Sequence, residues 1–373
     1  MDININIKKN LQIRAFYLFF VIASIQLGIG ILGVSRLIYL EVQQDAWISI
    51  VIAFFYVSLI IMVMLLILKQ YENADIYGIQ VDIFGKWIGK LFGTFFIFHF
   101  ALSFFSILIT YIEVIKVFIF PTVNDYILSF MLLCLVIYSV LGGIRVIIGV
   151  CVIFFFLSHW LLILLIQPAL QMELTHLQPV FVTPITDLLK GARVTSYTFM
   201  GFEILFLIYP FILNKNKAKL PIFLGLGWTT FLLLLTTILV IGYFSFDQIE
   251  RREWVLLGLF KIQSFAFIER FDYIVVAEWM MVVIPSLILL MWGITYGTKR
   301  LYQVPQRATL YTIAILCFIG SLFTNEHFQI QKVINWSSEY GFWLVYVYPL
   351  LLLPIVLIKK KWQKRKDGDH HVH

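Results

Sequence analysis

The chain has 373 residues, of which 61% are hydrophobic, 17% aromatic and 13% charged, and its mean hydropathy is +0.93. Its 28 Lys and Arg against 21 Asp and Glu leave a formal charge of +7. Ordinary soluble domains carry about 25% charged residues, so this composition excludes one and points to a polytopic membrane protein.

In chain order, apolar segments of spanning length are predicted from Ile13 to Leu37, Ala46 to Leu68, Leu91 to Phe120, Tyr126 to Leu141, Val146 to Gln167, Ala192 to Leu213, Leu220 to Phe244, Ile268 to Tyr296, Ala308 to Phe323 and Tyr340 to Ile358. The fourth is short, and Gly142-Gly143 supplies the turn into the fifth. Between Gln248 and Ser264, Arg251-Arg252-Glu253-Trp254-Val255-Leu256-Leu257 is too charged at its start to span and is expected as a surface helix in a loop. The apolar run behind the basic stretch Met1 to Arg14 is too long for a signal-peptide core and lacks a small-residue cleavage site, so the first span is expected to stay as an anchor. Cys134, Cys151 and Cys317 all fall in apolar runs and read as buried filler rather than as a disulfide frame or metal site.

Basic residues set the expected orientation. With both termini cytoplasmic, the inner loops and the tail 359–373 hold 19 of the 28 Lys and Arg, among them Lys69, Arg145, Lys215, Lys299, Arg300 and Lys359. Outer-loop basic residues are largely offset by acids such as Glu41, Asp45, Glu253 and Glu269. The basic tail then reads as a topology determinant beside anionic lipid, and nucleic acid is not an expected partner. The terminal His370, His371 and His373 are read as without function.

Two interruptions organise the whole. Gln26-Leu27-Gly28-Ile29-Gly30-Ile31-Leu32-Gly33 puts three glycines and a buried amide in the middle of the first span. Each glycine costs a helix about 1 kcal/mol relative to alanine, so the helix is weakest there. Two readings are open: an unwound segment lining a cavity, since lipid cannot satisfy free backbone groups, or a small-residue packing face. Many secondary transporters pair two inverted repeats, each beginning with a broken helix. Ten spans divided into five and five place the partner break in span six, where Thr195 to Thr198, Gly201 and Glu203 interrupt the apolar run. One integral membrane domain, 1–373, is therefore expected, with repeats at about 13–168 and 190–358.

Gly28-Ile29-Gly30-Ile31 resembles the Gly-x-Gly-Ile break in the first helix of the amino acid-polyamine-organocation superfamily. The whole chain resembles a branch of it, the B subunits of bacterial spore germination receptors. The likeness rests on the span number, the basic tail, the glycine break followed by Arg36, and the passage Gly201-Phe202-Glu203 to Tyr209-Pro210 followed by Lys215, Lys217 and Lys219. Two positions depart from the pattern: Ser35, where relatives often carry proline, and Ile29, where many transporters have a small hydroxyl residue. The resemblance implies an all-α, LeuT-like fold in the spore inner membrane and a small nutrient, such as an amino acid, as ligand. It also implies a complex with a larger membrane-anchored A subunit and a lipoprotein C subunit.

Half-helix N-termini suit a carboxylate, so Gly28, Ile29, Gly30 and Leu32 are the candidate ligand-binding residues of span one, with Thr198, Phe199, Gly201 and Phe202 at the opposing break. Glu203 is an ionisable group at membrane depth, suited to a ligand ammonium, a proton relay or a structural pair. His99 and Ser103 share a face of span three, and Glu278 in span eight is either an interfacial or a lining acid. Glu113 and Lys116 are expected to form a local ion pair. Arg145 is read as an anchor and His159 as the better titrating group of span five. Trp254, Trp279, Trp336, Trp343 and Trp362 read as interfacial belt residues.

No His-Glu-x-x-His cluster, nucleophile elbow or phosphate loop supports an enzyme, and no cofactor is expected. A ligand sensor built on a transporter scaffold is the favoured reading, and a proton- or sodium-coupled amino acid permease is the alternative.

Overall fold

The computed structural model describes residues 3–262 and 271–370, with side chains as far as Gln363. The sequence readings that fall on Ser264, Ile268, Glu269, His371 and His373, and on the side chain of His370, lie outside the described residues.

Ten helical rods make up the described chain. Rod 1 has two halves, Leu18–Gln26 and Ile31–Val42, and rod 2 is Ala46–Lys69. Rod 3, Ile76–Phe118, is broken near its start at Gly85, whose φ of 80° is open only to a residue without a Cβ. Rod 4 is Asp125–Leu141, and rod 5 runs from Ile144–Ser158 through a 3-10 stretch to Ile166–Leu170. Rod 6 is Ile185–Phe199 and Phe202–Phe211, bent by 51° at the join. Rods 7, 8 and 9 are Lys219–Tyr243, Phe271–Tyr302 and Gln306–Phe323. Rod 10 begins at His327–Gly341, passes a π-helical turn at Phe342–Val347 and continues as Tyr348–His370. Among the described residues there is no sheet, only two isolated bridges, Asn4 with Ala74 and Ile13 with Ile212.

Seven described stretches are long and apolar enough to cross a membrane, and the bent rod 6 makes an eighth. The stretch Ile31–Lys69 holds half of rod 1 together with rod 2, and rod 4 is slightly short at 17 residues. Each predicted segment falls on one rod with shifted ends: rod 1 begins later, at Leu18, and runs on to Val42, whereas rods 3 and 10 begin earlier, at Ile76 and His327. Rod 6 begins at Ile185 rather than Ala192 because Asp187, Lys190 and Arg193 form polar contacts at its water-facing end, Lys190 with Asp187 at 2.7 Å and Arg193 with Glu339 at 2.7 Å.

Side-chain and terminal contacts identify two faces. On the face carrying both termini, Ile5 donates to the Asn73 carbonyl at 3.0 Å, Arg145 donates to the carbonyls of Lys9 and Gln12, and Lys359 pairs with Asp82. Asp75 is fully buried there at the start of rod 3. It accepts from the Tyr296 hydroxyl at 2.7 Å and from Arg300 Nε at 2.8 Å, and caps rod 3 through the Gly78 amide at 2.8 Å. On the opposite face, the turn between rods 1 and 2 places Asp45 under the loop before rod 6, where it accepts from the amides of Phe181, Val182 and Thr183 at 2.7, 2.9 and 2.9 Å.

Three local expectations are corrected. The segment Val255–Phe260 is not a surface helix: Val255, Leu256, Leu257, Leu259 and Phe260 are buried against the second half of rod 1, because the charged Arg251-Arg252-Glu253 end turns away and leaves an apolar helix to be covered. Trp279 is buried in the core and Trp254 is half-buried, whereas Trp336, Trp343 and Trp362 are exposed as belt residues should be. Cys151 and Cys317 are buried filler, but Cys134 is exposed on the outer side of rod 4. Ser35, in the place where proline is common, hydrogen-bonds Thr237 Oγ1 at 2.9 Å and so ties rod 1 to rod 7.

Candidate functional site

The breaks of rods 1 and 6 face each other across a small pocket. It is lined by Gln26, Gly28, Ile29 and Gly30 from rod 1, Thr198, Gly201 and Glu203 from rod 6, and Ser103 from rod 3, with apolar walls from Ile25, Ile107 and Leu290. A Cβ on Gly30 would lie 3.1 Å from Thr198 Oγ1, which shows how closely the two backbones approach. The free space between them is about 40 Å³, enough for about three waters. Ile29, Gly30, Tyr197 and Thr198 also line a vestibule of about 520 Å³ on the face opposite the termini.

The breaks differ in how their backbone groups are satisfied. At rod 6 the chain turns through Gly201 at φ 112°, and the groups exposed by the turn are taken up internally. The Gly201 amide donates to Glu203 Oε2 at 2.7 Å, the Phe199 carbonyl accepts from Gln26 Nε2 at 2.8 Å, and the Ser196 carbonyl accepts from the Tyr346 hydroxyl at 2.7 Å. At rod 1 the N-terminus of Ile31–Val42 is left open. The first amide to find a carbonyl is that of Leu32, which donates to Ile29 at 3.2 Å. The amides of Gly28, Ile29, Gly30 and Ile31 have no hydrogen-bond acceptor among the described residues. These orphan donors carry the positive end of the helix dipole. Gln26 lines the same pocket, and its Oε1 is buried without a hydrogen-bond partner among the described residues. Residues with unbonded amides and one with a lone acceptor therefore line the same small cavity.

Glu203 is 1% exposed, and its Oε1 lies 2.8 Å from Nε2 of the fully buried His99. With Oε2 on the Gly201 amide, each carboxylate oxygen already has one partner. Of the three roles open to Glu203 from sequence, the geometry realises the structural pair.

The remaining candidates divide by position. Gly28, Ile29, Gly30, Ser103, Thr198, Gly201 and Glu203 line the pocket. His99 stands behind Glu203 and does not line it. Leu32 is inside the helix and fully buried, Phe199 contributes only its carbonyl, and Phe202 packs on Tyr346 with ring centroids 5.6 Å apart. Glu278 lies away from the breaks, where the Trp160 indole donates to it at 3.4 Å. The lining residues omitted from the sequence candidates are Gln26, Tyr197 and the apolar Ile25, Ile107, Met200 and Leu290; of these Gln26, an amide beside three glycines in an apolar run, was a visible signal.

Two further pairings differ from expectation. Glu113 and Lys116 do not pair with each other: Lys116 reaches Asp125 at 2.5 Å, and Glu113 reaches His327 at 2.7 Å. His159 has both ring nitrogens engaged, Nδ1 donating to the Phe155 carbonyl and Nε2 accepting from the Trp228 indole at 2.9 Å. These are roles that the neutral ring fulfils.

Comparison with known proteins identifies the scaffold. The chain is 11% identical in sequence to a Na+-coupled sialic acid symporter, solved in a substrate-bound outward-open state, and superposes on it with a TM-score of 0.64 over 92% of this chain and 77% of that one. A manganese transporter from Eremococcus coleocola gives a TM-score of 0.60 at 11% identity, over 96% and 88% of the two chains. At such identities the likeness shows the fold alone: an all-α polytopic membrane protein of the LeuT type. In sequence, the chain is 33% identical to the spore germination protein GerQB of Bacillus cereus across 92% of its own length and 95% of that protein's. It is 24% identical to the spore germination proteins YndE and A2 of Bacillus subtilis, over 93% and 94% of this chain and 96% and 97% of theirs. The family model described as "Spore germination protein" matches residues 12–330, and with these relatives it establishes that the chain belongs to the spore germination protein family.

Proposed function

We propose that this protein is the nutrient-sensing membrane subunit of a spore germination receptor, and that it takes a free amino acid between the breaks of rods 1 and 6. The observation that carries the reading is the open helix end at Gly28, Ile29 and Gly30, which lines one pocket with Gln26, whose Oε1 has no hydrogen-bond partner among the described residues. Free amides at a helix N-terminus suit a carboxylate, and the lone acceptor suits an ammonium. Thr198 and Ser103 add hydroxyls, and the close approach of Gly30 to Thr198 keeps the ligand small. Glu203 and His99 hold the rod 6 break in shape behind the ligand. Ligand binding then favours one arrangement of the two breaks, and that shift in population is passed to the A and C subunits of the receptor.

The excess of Lys and Arg on the face that carries both termini supports a cytoplasmic assignment for that face. The vestibule then opens to the outer side of the spore inner membrane. A coupled amino acid permease is the second reading, favoured by the vestibule's reaching the breaks from one face, as alternating access requires.

Labelled amino acids are titrated onto the purified full chain in nanodiscs, with wild type compared to Gly30→Leu. Saturable binding that the variant loses, with unchanged accumulation and melting, supports the site; equal binding by both proteins rejects it. Coupled accumulation of the label in proteoliposomes by the isolated chain favours the permease.

A further inference from the structure

A second constellation lies at the mouth of the vestibule, well removed in sequence from both breaks. Glu113 near the end of rod 3, Glu253 from the segment between rods 7 and 8, and His327 at the start of rod 10 offer one ligand atom each, all within 4.8 Å of one another. His327 Nδ1 is 2.7 Å from Glu113 Oε1 and 3.5 Å from Glu253 Oε2. Ligands about 2.0–2.2 Å from a tetrahedral zinc stand about 3.3 Å apart, and the two separations from His327 bracket that spacing. His327 is about half exposed and Glu253 about one-third, so both can adjust by the few tenths of an ångström required.

We infer that Glu113, Glu253 and His327 form a binding site for a divalent transition metal, zinc in the first instance. The surroundings are those of a ligand set rather than of a salt bridge alone. Lys116, one turn from Glu113, makes its ion pair with Asp125 rather than with the cluster. Glu113 Oε2 is buried and has no partner among the described residues. Gln331 Nε2 donates to Glu253 Oε1 at 2.6 Å, which orients that carboxylate and leaves Oε2 toward His327, as an outer-shell partner does for a metal ligand. One imidazole and two carboxylates suit zinc or manganese and leave a position open to water from the vestibule. Calcium needs six to eight oxygen ligands, well beyond the two carboxylates this set supplies.

The three ligands come from three separate elements around the vestibule, and Glu253 and His327 line it directly. A bound metal therefore staples these elements and fixes the width of the entrance to the breaks. Because neither break contributes a ligand, the site stands or falls independently of the amino acid pocket.

The test uses the full chain in nanodiscs with His370, His371 and His373 changed to alanine, so that the tail contributes no zinc binding. Elemental analysis after gel filtration is expected to give one zinc per chain, and zinc is expected to raise the melting temperature where calcium does not. His327→Gln and Glu253→Gln should each weaken zinc binding at least tenfold while melting normally without metal. Gln331→Ala should weaken it about tenfold through loss of the orienting bond. Absence of saturable zinc uptake by the parent protein overturns the proposal, as does an affinity that survives both ligand substitutions. If Glu253→Gln fails to accumulate, His327→Gln alone decides, since that side chain is on the surface.

Discussion

Nε2 of His99 and Oε1 of Glu203 meet at 2.8 Å, in a place where neither side chain is more than 1% exposed. The pair joins rod 3 to the break of rod 6, and the second carboxylate oxygen holds the Gly201 amide at 2.7 Å. A charged group at membrane depth is costly; here it closes a backbone turn that would otherwise strand a buried donor.

Replacing Glu203 separates charge from hydrogen bonding. Glu203→Ala leaves the Gly201 amide without its acceptor and removes the one hydrogen-bond partner, among the described residues, of a histidine whose Nδ1 has none there. Each stranded buried group costs about 1–3 kcal/mol. Glutamine can keep its carbonyl on the Gly201 amide and turn its NH₂ toward His99, so Glu203→Gln should melt between wild type and Glu203→Ala in nanodiscs. Equal melting of the two variants would show that the negative charge, not the bonding pattern, holds the turn.

Gly201 itself tests how rigid that turn is. Its φ of 112° disfavours any side chain, and an added Cβ would lie 2.8 Å from Ile25 Cγ1 on the opposing break. Gly201→Ala is expected to cost about 1–3 kcal/mol. Trimming Ile25 to alanine in the same protein should return the steric part and leave the dihedral part. Full recovery of the melting temperature in the double variant would assign the whole effect to the contact.

The breaks were legible because polar and glycine residues are conspicuous in apolar runs: Gln26 to Gly33 and Gly201 to Glu203 interrupt patterns that otherwise support uninterrupted helices. Ten rods followed from hydropathy for the same reason. The start of rod 6 was not legible, since Ile185 to Arg193 is a half-polar helix whose charges pair at the water-facing end. Nor were partners far apart in the chain. His99 and Glu203 are 104 residues apart and Glu113 and His327 are 214 apart, whereas sequence spacing proposes only neighbours such as Glu113 with Lys116. Asp125 at the start of rod 4 competes for that lysine, and nothing in the local pattern announces it.

Asp45 makes a prediction confined to one loop. Its carboxylate gathers three consecutive amides, at Phe181, Val182 and Thr183, and Phe181 sits at φ 61° to present them. Hydrogen bonds to a charged acceptor contribute about 1.5–3 kcal/mol, but Phe181 and Val182 are exposed, so water recovers part of the loss. Asp45→Ala should therefore loosen the loop before rod 6 more than it lowers global melting. Limited proteolysis is expected to cut between residues 171 and 184 several times faster in Asp45→Ala, with Asp45→Asn intermediate. Unchanged cleavage would mean that the loop is held by its other contacts.

The buried pair on the termini face predicts an asymmetry. Asp75 is fully buried, whereas Arg300 keeps 17% of its side chain exposed. Removing one member of a buried ion pair costs about 3–5 kcal/mol, chiefly through the charge left behind. Arg300→Gln strands a carboxylate that cannot reach water and retains only the Tyr296 hydroxyl and the Gly78 amide among its bonds. Asp75→Asn removes the carboxylate from beside a guanidinium that is part-exposed and can turn toward solvent, and asparagine still caps rod 3. Arg300→Gln should thus be the more damaging change, and adding Asp75→Asn to it should recover part of the loss in melting temperature. A double variant less stable than Arg300→Gln alone would refute the stranded-charge explanation and place the stabilisation in the packing of the arginine stem.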